Sequence, residues 1–391
     1  MTHIPMNPRP ALGPLLSRRT LLGRMSALAA AGVVGPGLLA ACGSDDSGDA
    51  NNAEGSSNSL WHENWPAYMD EETLDLFRKD SGLDFKYTEG FNDNNEYFAK
   101  VQADLAAGKS IGPDIITPTF WLAARLIDLG WVQEVPFDNI PNAANLVPQL
   151  RKPAWDPDGR FSLPYASGMT GIAYNIAETG RELTSTGDLF DPAFKGRVGM
   201  LLEMRDTVGL TMLLTGQDPA TATFEGATEA FSMIEDATSS GQIRAFTGND
   251  YMDDLATGNY AACIGWSGDV LQLSLDNPDI RFVIPDEGGM QWSDVMVIPS
   301  GSKNAANTAA WMNYLYDPEN AARITSYVGY NTPVEGVQAV MAAGDEAQQA
   351  LAKSQLLFPD AATLDRLSVF ANLDPEAEAA FDERFSEITG A

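Results

Sequence analysis

Cysteine and histidine are nearly absent from this sequence, and their scarcity excludes several kinds of site. The 391 residues include two cysteines and two histidines. His3 lies in an N-terminal leader and Cys42 directly follows that leader, so the body of the chain has only His62 and Cys263. These cannot build a zinc cluster, and a histidine-based nucleophile relay would depend on His62 alone. Cys263 sits in the apolar run 260–266 and is expected to be a small buried hydrophobe rather than a nucleophile.

Basic residues are also scarce, at 24 lysines and arginines against 54 acids. Four of the 24 are arginines of the leader, which has no acid, so the remaining chain carries 20 basic and 54 acidic residues, a net charge of −34. A surface this negative repels nucleic acid and anionic lipid and attracts cations. Bulk charge alone does not identify a cation, since solubility or halotolerance would also explain it.

The sequence has no apolar run suited to crossing a membrane. Residues 25–41 are uncharged, but they are too short and too glycine-rich for a span. Arg18 and Arg19 precede this run and form a twin-arginine export address. The run ends in Leu39-Ala-Ala-Cys42, which resembles a bacterial lipobox. We therefore predict that residues 1–41 are a signal peptide, that Cys42 carries a lipid, and that residues 42–59 tether the body to the outer face of the cytoplasmic membrane.

Short apolar runs alternate with helical patterns through the body, and this alternation predicts an α/β sandwich with parallel strands. Helical spacing occupies 70–81, 94–108, 122–130, 206–216, 224–238 and 304–316, and the strand-like runs are 84–88, 114–118, 197–202, 260–266, 281–285 and 293–299.

Tryptophans and carboxylates occur together at the edges of these strand patterns. Trp292 and Asp294 are two residues apart on one strand and therefore share a face. Asp269 follows the strand that ends at Trp266, while Glu203 and Asp206 flank a strand-to-helix junction. Aromatic faces attract organic ammonium ions, and carboxylates accept their charge-assisted hydrogen bonds. The alternative for each ring is core packing, and for the two junction acids it is helix capping.

Several ordered segments resemble the spermidine/putrescine-binding proteins of bacterial polyamine ABC importers, from Leu60 to about Glu387. The segments are Asn64-Trp-Pro-Ala-Tyr68, Asp114-Ile-Ile-Thr-Pro-Thr119, Ser162-Leu-Pro-Tyr165, Gly171-Ile-Ala-Tyr-Asn175, Glu287-Gly-Gly-Met-Gln-Trp-Ser-Asp294, Gly329-Tyr-Asn-Thr-Pro333 and Leu357-Phe-Pro-Asp-Ala361.

The resemblance implies a two-lobed, type II periplasmic-binding fold with the ligand in a cleft between the lobes. Lobe 1 would comprise residues 60–166 plus 296–332, and lobe 2 would comprise 167–295 plus 333–391. The protein would bind a polyamine by hinge closure, use no cofactor or metal, and deliver the ligand to an ABC permease. The hinge is expected in the crossing strands near 166–170, 295–298 and 332–335.

The same resemblance implies the ligand-binding residues. They are Trp65, Tyr68, Thr119, Trp121, Glu203, Asp206, Trp266, Asp269, Trp292, Asp294 and Tyr330. The sequence departs from the family pattern at Pro66 and Ala67, where the family has Thr and Glu, and at Phe370, where it has Gln. Asp269 replaces a small polar residue and could restore a charge, so the preferred amine is left open.

Other functions are weighed against this one. An anion receptor needs arginines or exposed helix N-termini, which the clustered acids oppose. A ferric-ion site could use Tyr and Asp, but it would not explain the tryptophans. An exported carbohydrate-binding protein or carboxylate-dependent glycosidase could use the same rings and acids, although no catalytic motif supports an enzyme. An adhesin without a small ligand is the remaining alternative.

Overall fold

The structure is a computed structural model, and it describes residues 58–248 and 250–390. The signal peptide, Cys42 and the tether as far as residue 57 lie outside the described residues, so the predictions made for them stay predictions.

Eleven strands form one mixed sheet among the described residues. They are β1 (Ser59–Asn64), β2 (Asp84–Glu89), β3 (Ile115–Ile116), β4 (Val132–Gln133), β5 (Ser162–Asn175), β6 (Val198–Leu201), β7 (Ile243–Thr247), β8 (Ala262–Trp266), β9 (Ile280–Val283), β10 (Gly289–Pro299) and β11 (Leu367–Ser368).

The helices in the described part of the chain fill the spaces between these strands, and none of them is long and apolar enough to cross a membrane. They are α1 (Glu71–Ser81), α2 (Asn94–Ala106), α3 (Phe120–Asp128), α4 (Ile176–Thr179), α5 (Met204–Leu214), α6 (Thr228–Ser239), α7 (Tyr251–Thr257), α8 (Ser267–Asp276), α9 (Ala305–Leu315), α10 (Pro318–Val328), α11 (Val337–Ala343), α12 (Glu346–Leu351), α13 (Ala361–Leu364) and α14 (Pro375–Thr389), with short 3-10 turns at Phe137–Asn139, Pro141–Asn145, Pro148–Leu150, Thr186–Phe190, Pro192–Phe194 and Pro219–Thr221.

Local sequence explains where these helices begin and end. Asp70 caps α1 by accepting a hydrogen bond from the backbone N–H of Thr73, and Gly82 ends the same helix in the left-handed conformation. The predicted strand at 114–118 shortens to Ile115–Ile116. Pro118, at the end of the predicted strand, has no N–H to donate to a neighbouring strand.

The strands run β2-β1-β3-β10-β5-β8-β6-β7 across the sheet. Pairing is parallel at both ends, between β1 and its neighbours β2 and β3 and between β6 and its neighbours β7 and β8. In the middle, β10 pairs antiparallel with β3 and β5, and β5 pairs antiparallel with β8. The predicted parallel arrangement is therefore correct at the two ends and wrong at the centre, because the two long strands cross the sheet in opposite directions.

The long strands β5 and β10 join the two ends of the sheet. Their register runs from Met290 opposite Thr170 to Val297 opposite Ser162, with an irregularity between Asp294 and Val295. An extra residue in one strand bends it and changes the direction of the side chains beside it. This irregularity lies at one of the acids expected in the binding site.

Three hydrophobic cores pack on the sheet. Core 1, around Phe77, and core 2, around Phe98, receive alternate residues of the same strands: Ile115 joins core 1 and Ile116 joins core 2. Alternate residues of a strand point to opposite faces, so helices cover both sides of this end of the sheet. Core 3, around Phe231, packs on β6 to β8 at the other end.

The lone histidine and cysteine of the body belong to these interiors. His62 is fully buried, accepts a hydrogen bond at Nδ1 from Trp311 at 3.0 Å, and contacts the Thr117 hydroxyl at 2.7 Å. Burial lowers the pKa of His62 to about 3, so this ring stays neutral. Cys263 is buried in core 3, and burial raises the pKa of its thiol, as expected for a small hydrophobe.

Candidate ligand-binding site

Asp294 places a buried carboxylate where the long strands meet α3. It is 6% exposed, accepts a hydrogen bond at Oδ2 from the Tyr68 hydroxyl at 2.9 Å, and accepts one at Oδ1 from the Thr119 hydroxyl at 2.7 Å. Asn94 fixes Thr119 in turn, because it hydrogen-bonds both the backbone N–H and the side chain. The structure therefore brings Tyr68, Thr119 and Asp294 into direct contact, and their expected role in ligand binding stays a prediction.

Asp206 supplies a second buried carboxylate from the first turn of α5. It is 4% exposed, and its two oxygens accept hydrogen bonds from the Thr170 hydroxyl at 2.8 Å and from the indole N–H of Trp266 at 2.7 Å. Thr170 lies on β5 and Trp266 ends β8. Two strands, β5 and β8, and the helix α5 therefore fix this carboxylate.

These carboxylates are close enough to repel one another. Burial raises the pKa of Asp294 to about 7, and the negative charge of Asp206 adds to the shift. Burial also raises the pKa of Asp206 to about 6. Removing an ionised acid from water disfavours its charged form, and a nearby negative charge disfavours it further. Two such carboxylates form a site at which a bound cation would be stabilised.

Glu203 both caps α5 and places another titratable carboxyl group near Asp206. Its side chain accepts a long hydrogen bond, at 3.4 Å, from the backbone N–H of Arg205. Burial is the largest cause that raises the pKa of Glu203 to about 8, with Asp206 raising it and Arg205 lowering it. Helix capping, the alternative considered for this residue, is therefore one of its roles.

Tyr68, Trp292 and Tyr330 form a wall of aromatic rings beside Asp294. Their ring centroids lie 5.9 Å apart for Tyr68 and Tyr330 and 5.1 Å apart for Trp292 and Tyr330, both in edge-on contact. Two glycines permit this packing. A Cβ on Gly168 would lie 2.2 Å from the Trp292 indole, and one on Gly268 would lie 2.6 Å from the Tyr330 ring.

Asp269 lies in the interior, where it contacts the hydroxyl of the ring wall. It is 0% exposed, and its oxygens accept hydrogen bonds from Tyr330 at 2.9 Å and Tyr251 at 3.1 Å. The Tyr251 hydroxyl also accepts the backbone N–H of Trp266. The expected contact between Asp269 and the ligand stays a prediction. The hydrogen bonds of Asp269 suit a residue that positions Tyr330 directly and Trp266 through Tyr251.

Trp65 and Trp266 are half-buried and bridge hydrophobic cores. Trp65 packs between cores 1 and 2 and donates its indole N–H to the Thr117 carbonyl at 2.8 Å. Trp266 packs against cores 1 and 3. Both rings therefore lie at junctions between hydrophobic cores, where side chains would line a cleft between those cores.

The structure shows the surroundings of Ala67 and Phe370, two of the residues that depart from the family pattern. Ala67 takes a positive φ of 54°, and its N–H is bound by the Glu89 carboxylate at 2.8 Å. Phe370 is a buried member of core 3 that packs 5.9 Å from Phe381. Its side chain is therefore used in packing.

Trp121 is the predicted wall residue with the most unexpected surroundings. It is 4% exposed and lies under the guanidinium of Arg205, whose central carbon is 3.9 Å from the ring centroid. The sequence argument missed Arg205, although its position between Glu203 and Asp206 was a signal. It also missed Thr170 and Tyr251, which hold Asp206 and Asp269.

Helices cover both faces of one end of the sheet, and buried acids and rings lie where the long strands cross it. Residues 72–353 match the model of the bacterial extracellular solute-binding proteins, and the chain belongs to this family.

Individual relatives are similar over most of their length. The spermidine/putrescine-binding periplasmic protein of Escherichia coli is 25% identical over 338 residues, covering 86% of this chain and 90% of that protein. The putrescine-binding periplasmic protein PotF of the same species is 30% identical over 291 residues, covering 68% and 75%. The structure of the spermidine/putrescine ABC transporter substrate-binding protein PotD of Streptococcus pneumoniae superposes with a TM-score of 0.72 at 24% identity, covering 84% of this chain and 98% of that one.

These similarities confirm the resemblance and the type II periplasmic-binding fold inferred from the sequence. The relatives are solute-binding transport proteins, so the glycosidase alternative is not supported. The fold also explains why both long strands are needed, since they carry residues of the site and connect the two ends of the sheet.

Proposed function

We propose that this protein captures a polyamine of the putrescine and spermidine class in the cleft formed by Asp206, Asp294 and the rings around them, and that it delivers this ligand to an ABC permease. The observation that carries the proposal is the pair of buried carboxylates on α5 and β10, each held by two side-chain donors. Two relatives bear names that specify putrescine or spermidine.

The electrostatics support a cationic ligand. With raised pKa values, Asp206 and Asp294 resist ionisation in the ligand-free protein because burial is uncompensated. An alkylammonium group placed between them would supply the missing positive charge and donate hydrogen bonds to their remaining lone pairs. An anion would be repelled by the same groups.

The aromatic rings support an alkyl chain carrying that charge. Tyr68, Trp266, Trp292 and Tyr330 present faces and edges next to the two acids. Ring faces attract an ammonium group and also pack against methylenes. A sugar would use rings as well, but it would leave two buried carboxylates without counter-charge.

The binding mechanism we propose is closure of two lobes about the crossing strands, without bond chemistry. Ser167, in the first proposed hinge segment, exchanges backbone hydrogen bonds with Asn331 at 2.9 Å, and its hydroxyl is 2.7 Å from that of Ser293. Asn331 and Ser293 directly precede or nearly precede the other two proposed segments, which supports a hinge at this place. We retain the lobe limits 60–166 plus 296–332 and 167–295 plus 333–391 with one change. Val337 and Leu357 pack in core 1, which favours assigning 333–357 to lobe 1.

Calorimetry on the exported protein tests the ligand class. Putrescine, cadaverine, spermidine and spermine should bind, whereas 1-butylamine, which has the same alkyl length as putrescine and only one charge, should bind much more weakly. A ligand at one hundred times its dissociation constant should stabilise the protein by about 2.7 kcal/mol. Absence of heat and of thermal shift with all four polyamines would overturn the proposal.

We also propose that Cys42 anchors the protein to the outer face of the cytoplasmic membrane. The support is the order of twin arginines, apolar run and cysteine. The exported wild-type chain should carry a diacylglycerol-sized mass at Cys42 and partition into detergent, and Cys42→Ala should release it into the aqueous phase. An unmodified Cys42 in the exported protein would contradict the anchor and leave the ligand assignment untouched.

A further inference from the structure

Arg205 is a buried cation inside a site otherwise built from acids and rings. Its side chain is enclosed, at 6% exposure for the residue, and it reaches from α5 toward α3 and α14. One guanidinium nitrogen donates to Glu378 Oε1 at 2.9 Å, and another lies 3.9 Å from Glu203 Oε1. The planar group lies over the Trp121 ring at 3.9 Å.

The face of Trp121 is therefore already occupied by a positive charge of the protein itself. A guanidinium over an indole uses the same attraction that would hold a ligand ammonium. Because Trp121 is buried beneath Arg205, a ligand can contact that ring face only if the guanidinium moves away from it.

The charge of Arg205 also divides the acids into two groups. Glu203 and Glu378 face the guanidinium, and Arg125 lies 3.8 Å from Oε2, the other oxygen of Glu378. Asp206 and Asp294 have hydroxyl and indole donors instead. A ligand ammonium is attracted to Asp206 and Asp294, and it is repelled by the guanidinium that already occupies the space beside Glu203 and Glu378, since like charges in a poorly solvated site interact strongly.

We propose that Arg205 determines ligand length and charge by closing the Trp121 end of the cleft, so that short diamines are favoured over longer polyamines with an additional ammonium group. This inference rests on the proposed polyamine function. It concerns the same cleft but a different residue from those expected to hold the ligand.

The test compares the dissociation constants of putrescine and spermidine by calorimetry. In Arg205→Gln, the ratio of the spermidine to the putrescine constant should fall by roughly tenfold or more, because the ring face and Glu203 become available to the third ammonium. Adding Trp121→Leu to that variant should remove most of the gain. Arg125→Gln is the matched control: it breaks the other ion pair of Glu378 and leaves Trp121 covered, so the ratio should stay at the parent value.

Glu378 is buried, so Arg205→Gln alone could fail to fold. In that case Arg205→Gln with Glu378→Gln removes both charges of the buried ion pair and is judged by the same ratio. An unchanged ratio in a folded variant, or an equal change in Arg125→Gln, would overturn the role of Arg205 while the parent still binds amines. A parent protein that binds neither amine would overturn the proposed function, and this inference with it.

Discussion

Replacing Asp294 by asparagine should weaken ligand binding without weakening the fold. Asparagine keeps the shape of the side chain and one carbonyl oxygen for Thr119 or Tyr68, but it removes the negative charge. In the ligand-free protein that charge is buried and repelled by Asp206, which is why the pKa of Asp294 is raised to about 7. The neutral variant should therefore be at least as stable as the parent when no ligand is present.

The loss of affinity can be estimated from the geometry. An ammonium about 4 Å from a carboxylate interacts by about 4 kcal/mol at the effective dielectric constant typical of proteins. Truncating one partner of a desolvated charge pair costs about 2–5 kcal/mol in measured complexes. The dissociation constants of putrescine and spermidine should thus rise by between roughly 30-fold and a few thousandfold.

Calorimetry and thermal denaturation together provide the assay, with Asp114→Asn as the control. Asp114 is also a buried acid, but it holds Trp61, Ser302 and Asn304 at the start of β3. Asp114→Asn should lower the melting temperature and leave amine affinity unchanged. Parent-like affinity in Asp294→Asn, or a loss of stability as large as that in Asp114→Asn, would refute the reasoning.

Three further predictions concern pH, the ring wall and its support. Because burial raises the pKa of Asp206 to about 6 and that of Asp294 to about 7, the ligand-free fold binds more protons than the unfolded chain above about pH 4 and loses stability as pH rises to about 7. Amine affinity should rise over the same range, with proton release on binding at pH 6 that shrinks in Asp294→Asn; pH-independent affinity would contradict this. Trp292→Ala should weaken amine binding by roughly 2 kcal/mol, as measured by calorimetry, and an unchanged titration would exclude this ring from the wall. Tyr251→Phe removes one donor to Asp269 and should weaken binding severalfold through Tyr330, as measured by calorimetry; a melting-temperature loss with unchanged affinity would limit this pair to folding.

Most of the helices and strands could be predicted from the sequence because the residue patterns that indicate them are local. The helical spacing predicted over 70–81 corresponds to α1, and the residues that cap it, Asp70 and Gly82, are both local to it in the sequence. The antiparallel centre of the sheet was not predictable by the same reasoning. β5 is buried along its whole length, so it has no alternating pattern, and its direction depends on partners more than one hundred residues away.

The binding site was predictable where a residue type has one plausible use. Four acids and two tryptophans beside strand ends pointed to a cation, and the structure brings Asp206 and Trp266 into direct contact. The supporting residues were not predictable, because a single threonine such as Thr170 has no distinctive neighbours in the sequence. Arg205 was overlooked since its ring partner is 84 positions away, and only the folded chain brings α3 under α5.

Helix α14 has a consequence for how the protein is made. Its 15 residues follow every residue expected to bind the amine, yet Phe381 and Phe385 complete core 3 and Glu378 holds Arg205. During synthesis α5 therefore lacks this ion-pair partner until α14 has left the ribosome. A product truncated before α14 would retain every carboxylate and ring expected to bind the amine and would lack part of the packing that supports them.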